Sequence, residues 1–212
     1  LKYSCTEVHA GREFGIDEAK RDQITQDLLN NEDIPFHLHE TQTILHVEKI
    51  RTQAGNPYSA FTPFRRRWER ILEKQTMPSY ESTRVCSDTL VETTLVPAKI
   101  DGFDSWAGIS HWPPGSRHAE ERFDNFLSGP IERYHENRDR PDLDGCSSLS
   151  PWFTVGALSP ITCMRALFQR YGNNLETWPR GPRAWQGELV WREFYRHVMA
   201  ANPKLSRGKP IQ

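Results

Sequence analysis

Between residues 75 and 115 the chain loses every regular hydrophobic period, and the segments on its two sides follow different plans. Residues 1–8, opening Leu1-Lys2-Tyr3-Ser4-Cys5, read as a strand. Residues 17–30 read as a helix: Ile24, Leu28 and Leu29 fall at helical spacing, and Asp17-Glu18 place negative charge where the macrodipole favours it. Residues 34–39 (Ile-Pro-Phe-His-Leu-His) alternate and read as a second strand, followed by the short apolar run Ile44-Leu45-His46-Val47. Strand, helix, strand implies an α/β unit with parallel strands. Residues 64–74 then read as a helix carrying Arg65-Arg66-Arg67.

Past residue 115 only helical patterns remain. Residues 116–126 form one. Ser159-Pro160 supplies an N-cap and a first-turn proline, Ile161, Met164, Leu167, Phe168 and Tyr171 keep one apolar face, and Gly172 closes the helix. Residues 184–201 form another, unusually aromatic, with Trp185, Trp191, Phe194 and Tyr195. The expectation is therefore α/β followed by all-α: an α/β part over 1–74, a linker over 75–115, and a helical part over 116–212. A connection as long as 75–115 either serves function or joins domains.

Composition narrows the function classes. With 212 residues, 36% hydrophobic and 26% charged, the chain has the size of one or two domains and enough apolar content to fold. No run approaches the ~20 apolar residues of a membrane helix, and no membrane partner is expected. Four widely spaced cysteines make no Cys-x-x-Cys pair, which argues against a disulfide framework or a cysteine zinc site and fits a reducing cytosol. His37 and His39 alternate on the second strand, but no third ligand follows at metal spacing, so no metal site is expected. The net charge of -1 hides a split: residues 129–212 hold 12 Lys+Arg against 8 Asp+Glu, and residues 1–128 hold 15 against 20. The second part is the better candidate for contacting phosphate. The chain opens on Leu1 with no initiator Met and stops after Lys209-Pro210-Ile211-Gln212, so both ends read as cut from something longer.

Three segments carry chemistry. Tyr134 to Asp139 leads into Gly145-Cys146-Ser147-Ser148-Leu149-Ser150-Pro151, a small hydroxyl-rich loop. Such a loop can turn backbone N–H groups and hydroxyls onto phosphate oxygens, and it can equally be an ordinary turn with a serine cap. Gly156-Ala157-Leu158-Ser159-Pro160 is by itself a capped helix start. In Trp185-Gln-Gly-Glu188-Leu-Val-Trp191-Arg192-Glu-Phe-Tyr195-Arg-His197, helical spacing puts Trp185, Glu188 and Arg192 in one stripe and Trp191 with Tyr195 in the next. Flat rings, a carboxylate and guanidinium groups suit a pocket for a planar base beside a phosphate backbone, or an amphipathic core helix laced with salt bridges.

In this order and spacing the three segments resemble the DNA photolyase/cryptochrome family, most closely its class I cyclobutane-dimer photolyases. Tyr58-Ser-Ala-Phe61-Thr62-Pro63-Phe64 with Trp68, and the segment from Arg12 to Asp22, resemble the family as well. The resemblance implies an internal fragment: the C-terminal half of a Rossmann-like antenna domain, an interdomain linker, and the start of a helical FAD-binding domain. It implies light-dependent splitting of pyrimidine dimers in UV-damaged DNA by electron transfer from excited, reduced flavin, in a monomer of the bacterial cytoplasm. Tyr134, Cys146, Ser147, Ser148, Leu149, Ser150 and Trp185 would contact FAD. Arg138 would approach DNA phosphate, and Glu188, Trp191, Arg192 and Tyr195 would face the lesion, with Glu188 and Trp191 at the reacting base. Asp17 and Glu18 would contact the antenna, 5,10-methenyltetrahydrofolate. Cys146 and Ser148 depart from the usual Thr-Ser-Arg-Leu-Ser loop, and Gly11 stands where Asn is common. The fragment alone is expected to bind FAD weakly or not at all. A cryptochrome photoreceptor, a (6-4) photolyase and an inactive fragment remain the alternatives.

Overall fold

The structure is a computed structural model that describes residues 5–75, 95, 97, 100–103 and 107–211. The expected linker lies largely outside these residues, as does the opening segment 1–4.

The α/β unit is small. Strand β1 (Val8–Gly11) pairs in parallel with β2 (Phe36–His39), in the register His9 opposite His37. Helix α1 (Ile16–Asn30) makes the crossover, opening on Asp17 and Glu18 as expected. Among the described residues the first strand covers 8–11, so residues 5–7 of the expected strand lie outside it. Backbone hydrogen bonding by Val8 N–H to Pro35 and Arg12 N–H to His39 sets the pairing there. The apolar positions of α1 also behave differently from expectation. Ile24 and Leu28 are exposed, and the buried residue on this helix is Asp22, bonded to Arg21.

Helix α2 (Phe61–Leu72) begins three residues earlier than the periodicity predicts and buries Phe64, Trp68 and Leu72, one stripe at i, i+4, i+8. The remaining α-helices among the described residues are α3 (Ser116–Ser128), α4 (Tyr134–Asn137), α5 (Ser150–Thr154), α6 (Pro160–Tyr171) and α7 (Arg180–Ala201), with a 3-10 turn at Pro130–Arg133 between α3 and α4. In α6 the Ser159 hydroxyl accepts from Ile161 N–H, Pro160 occupies the first turn, and Gly172 ends the helix at φ 81°. Cap, proline and glycine each do what the sequence assigns them.

One apolar core runs through most of this. Leu45, Ile50, Phe64, Trp68 and Leu72 share a cluster with Phe123, Ile131, Trp152, Met164, Leu167, Trp185, Val190 and Phe194. The expected linker therefore does not separate two cores: α2 precedes it in sequence yet packs with the helices that follow. Two polar links fasten α2 to α7. Arg183 grips the Glu69 carboxylate with two nitrogens, at 2.8 and 2.7 Å. The fully buried Glu193 accepts from the backbone N–H groups of Ile44 and Leu45 and from the Trp68 indole.

Candidate functional site

Helix α7 is buried on most of its circumference, and one exposed strip remains. Glu188, Trp191 and Tyr195, at i, i+3, i+7, occupy it. Trp191 is 37% and Tyr195 62% exposed, both high for rings in a helix this well packed. Trp191 lies face to face on Phe61 of α2, with centroids 3.4 Å apart and planes 4° from parallel, and Tyr195 stacks beside it at 5.7 Å. The result is an aromatic ledge held by both helices. Glu188 bonds Arg138 at 2.6 Å, so two residues expected at the lesion and the DNA backbone meet each other. The pair is about 40% exposed, which puts it in the class of surface ion pairs worth ~0–1 kcal/mol.

The other members of the expected stripe part company with Glu188. Trp185 is buried against Phe123 and Phe126 of α3. Arg192 reaches the other way, donating to the Gln42 carbonyl at 2.5 Å and covering the Phe153 ring. Burial pulls its pKa below the usual guanidinium value.

The loop from Gly145 to Ser150 is tied to α3. Arg122 donates to the carbonyls of Cys146 and Ser147 and grips Asp144 with two nitrogens, while the Trp112 indole donates to the Ser148 carbonyl. Three successive carbonyls are thereby occupied, and Ser148 sits at φ 56°. Gly145 permits the close approach to α4, since a Cβ there would lie 2.5 Å from that of Asn137. Cys146 is exposed, with its Sγ 3.6 Å from the Arg138 carbonyl, and Leu149 turns into the core. Among the described residues no hydrogen bond engages the hydroxyls of Ser147, Ser148 or Ser150. Tyr134 is buried beside this loop and Glu188; burial first, then the Glu188 charge, pushes its pKa up to about 12, which keeps it a neutral donor. The hydroxyls of Tyr134, Ser147 and Ser150 are chemically able to donate to phosphate oxygens. Trp185 and the Leu149 side chain are both buried in the core.

Two hollows escaped sequence reasoning. A cleft of about 510 Å³ opens at the carboxyl ends of β1 and β2, where open parallel sheets bind ligands. Gly11, Glu13 and Glu40 line it on one side, Ser159, Arg192 and Arg196 on the other. Asp17 and Glu18 do not line it: Asp17 is ion-paired with Arg207, and Glu18 folds back over Gly15. A second hollow of about 290 Å³ is lined by Arg51, Arg66, Arg67, Arg70 and Tyr58, with no carboxylate among its lining residues. The charge tally pointed to residues 129–212 for phosphate contact; this cluster lies in the acidic part of the chain.

Two findings come from side chains that periodicity alone treats as packing. Glu193 is desolvated enough to raise its pKa to about 7 despite three donors, and burial lowers that of His197 to about 4. Gln186, Val190, Glu193 and His197 share one buried stripe of α7, so a polar seam at helical spacing was the available signal. On the sheet, Glu7 and His9 come up beside His37 and supply the further metal-type ligands that spacing along β2 did not.

A parallel α/β unit packed on an aromatic helical bundle, with a hydroxyl loop and an exposed ring-and-carboxylate strip, defines the class to which the comparisons point. The DNA photolyase family profile matches residues 1–82. The deoxyribodipyrimidine photo-lyase of Vibrio cholerae is 28% identical over 207 residues, covering 97% of this chain and 44% of that protein. A bacterial class III photolyase from Agrobacterium tumefaciens superposes with a TM-score of 0.68 at 25% identity, over 95% of this chain and 42% of the other. The cryptochrome of Synechocystis sp. PCC6803 shares the fold, with a TM-score of 0.74 at 21% identity over 94% and 42%. Over most of its length the chain is similar to members of the DNA photolyase/cryptochrome family. It spans less than half the length of the curated relatives it matches first. No helix among the described residues is long and apolar enough to cross a membrane.

Proposed function

We propose that this chain forms part of a photolyase of the class I type that repairs cyclobutane pyrimidine dimers in UV-damaged DNA. The observation that carries the reading is the strip of α7 on which Trp191 and Tyr195 are exposed and Glu188 pairs with Arg138, while Trp185, Leu189, Val190, Glu193 and Phe194 are buried. An exposed indole stacks on a flipped base with roughly 1–3 kcal/mol per base. The carboxylate of Glu188 accepts from a thymine edge. Arg138, released from Glu188, turns to a phosphate. Flipping costs least at a damaged pair, which favours the lesion over intact duplex.

FAD belongs beside this strip, its phosphates held by Tyr134, Ser147, Ser150 and backbone amides of the loop. When bound, the flavin supplies the light-driven electron; the protein supplies position and the exclusion of water. Cys146 and Ser148 offer a weak donor and no guanidinium, so the loop binds phosphate through hydroxyls and amides. We read β1–α1–β2 as the C-terminal half of an antenna domain and the helices from α3 onward as the start of the FAD-binding domain. The cleft at the strand ends is the seat for an antenna chromophore such as methenyltetrahydrofolate, with Arg192 and Arg196 available to its carboxylates. The arginines of the second hollow take DNA backbone phosphates.

The test is fluorescence anisotropy with a single-stranded oligonucleotide carrying one thymine dimer, against the same oligonucleotide undamaged. Preference for the damaged strand is expected, and Trp191→Ala should reduce it by about tenfold, the equivalent of removing one stack. The double change Arg66→Ala, Arg67→Ala should weaken both strands alike and lower the salt slope by about one for each phosphate no longer neutralised. Equal binding of the two strands by the unaltered chain overturns the dimer-repair reading and leaves the photoreceptor alternative.

A further inference from the structure

The strands of the α/β unit carry a group of side chains that the proposed repair chemistry does not use. Parallel register sets His9 opposite His37 and Gly11 opposite His39. Alternate residues of a strand share a face, so His37 and His39 project together and His9 joins them from the neighbouring strand. Glu7, two residues before His9, completes the group. The His9 ring stacks on His37 with centroids 4.7 Å apart and on His39 at 5.1 Å. The Glu7 carboxylate lies 3.2 Å from Nε2 of His9 and 3.4 Å from Nε2 of His37. One ligand atom from each of Glu7, His9 and His37 falls within 4.8 Å of the others. Ligands on a tetrahedral zinc, at 2.0–2.1 Å from the metal, stand about 3.3 Å apart, so small rotations of exposed side chains bring these atoms to coordination distance.

We propose that Glu7, His9 and His37 bind a divalent transition-metal ion of the zinc class, with His39 as a positioning residue. Two imidazoles and one carboxylate make a borderline donor set, which selects zinc and its neighbours over magnesium or calcium. The carboxylate offsets part of the dipositive charge. His9 coordinates through Nε2, and its Nδ1 lies 2.8 Å from Nε2 of His39. That contact is the outer hydrogen bond that fixes the tautomer and ring orientation of a metal-bound histidine. All three ligands are exposed, so the fourth position is open to water and the ion exchanges freely. The competing account is a metal-free His–Glu hydrogen-bonded cluster.

Calorimetric titration of the chelator-stripped 212-residue chain with zinc chloride separates the two. One ion per chain is expected, and cobalt(II) in its place should give the intense visible bands of tetrahedral coordination. His9→Ala and His37→Ala should each abolish the saturable step. His39→Ala should lower affinity by about 10–100-fold with the stoichiometry unchanged. These residues lie on the exposed face of the sheet, so circular dichroism of each variant should match the parent. No saturable binding overturns the site. Binding that survives His9→Ala and His37→Ala places the ion elsewhere and overturns it as well. An unchanged affinity in His39→Ala removes the positioning role.

Discussion

Replacing Glu193 by alanine is expected to destabilise the fold by roughly 3–5 kcal/mol, because three buried donors lose their acceptor at once and each unsatisfied group costs about 1–3 kcal/mol. The donors are the amides of Ile44 and Leu45 and the Trp68 indole, so the loss falls where the segment after β2 meets α2 and α7. Urea melts read the effect directly. The pH dependence gives a second handle. Burial raises the Glu193 pKa from 4.5 to about 7, so its contribution to stability is full below 4.5 and is lost as pH rises through about 7. His197, on the same buried stripe, runs the other way. Burial lowers it from 6.5 to about 4, so its contribution is full above 6.5 and is lost as pH falls through about 4. At 1.36 kcal/mol per pKa unit each amounts to about 3 kcal/mol, and between pH 4.5 and 6.5 they oppose each other. The unaltered chain should therefore show only a shallow slope from these two groups in that window. Glu193→Gln should uncover stability that rises with pH there, and His197→Phe should uncover stability that falls. Parallel profiles for the three proteins would show that neither group titrates as its burial demands.

Gly181→Ala is expected to cost about 3 kcal/mol or more, at the upper end of overpacking penalties. Gly181 sits in the first turn of α7, and a Cβ there would lie 2.2 Å from the carbonyl oxygens of both Ile131 and Glu132. Those are backbone atoms of the turn that leads into Tyr134, and they can yield only by moving the turn. The change should therefore lower the melting temperature and also disturb the loop beside Tyr134. Gly156→Ala is the control. Its φ of 74° disfavours a side chain, but nothing lies within 4 Å of the added carbon, so about 1–2 kcal/mol is expected from backbone conformation alone. Equal losses in the two variants would show that steric contact at Gly181 is not what matters.

What the sequence revealed and what it withheld divide along a physical line. Helix α6 was readable in full, since cap, proline, apolar face and terminal glycine are local signals. The limits of α1 were readable but its buried face was not, because which face is covered depends on the elements packed against it; Ile24 and Leu28 have the right spacing and still meet solvent. Glu188, Trp191 and Tyr195 were singled out through the family resemblance, and the structure places them along one less buried strip of α7. Arg192 was grouped with Trp185 and Glu188 by periodicity, yet only the position of Gln42 and Phe153 decides where a long side chain goes. The arginine hollow needed Arg51 brought alongside α2, and the histidine cluster needed the lateral register of two strands. Neither is a property of spacing along the chain.

The grip of Glu193 on the amides of Ile44 and Leu45 has a consequence for how the molecule breathes. These amides lie outside any helix or strand, where exchange with deuterated solvent is ordinarily fast, yet their protons are held inside the core by a side chain of α7. Their protection should follow the opening of that helix rather than local loop motion. The stretch between the sheet and α2 is then a reporter of whether the α/β unit and the bundle open as one cooperative unit.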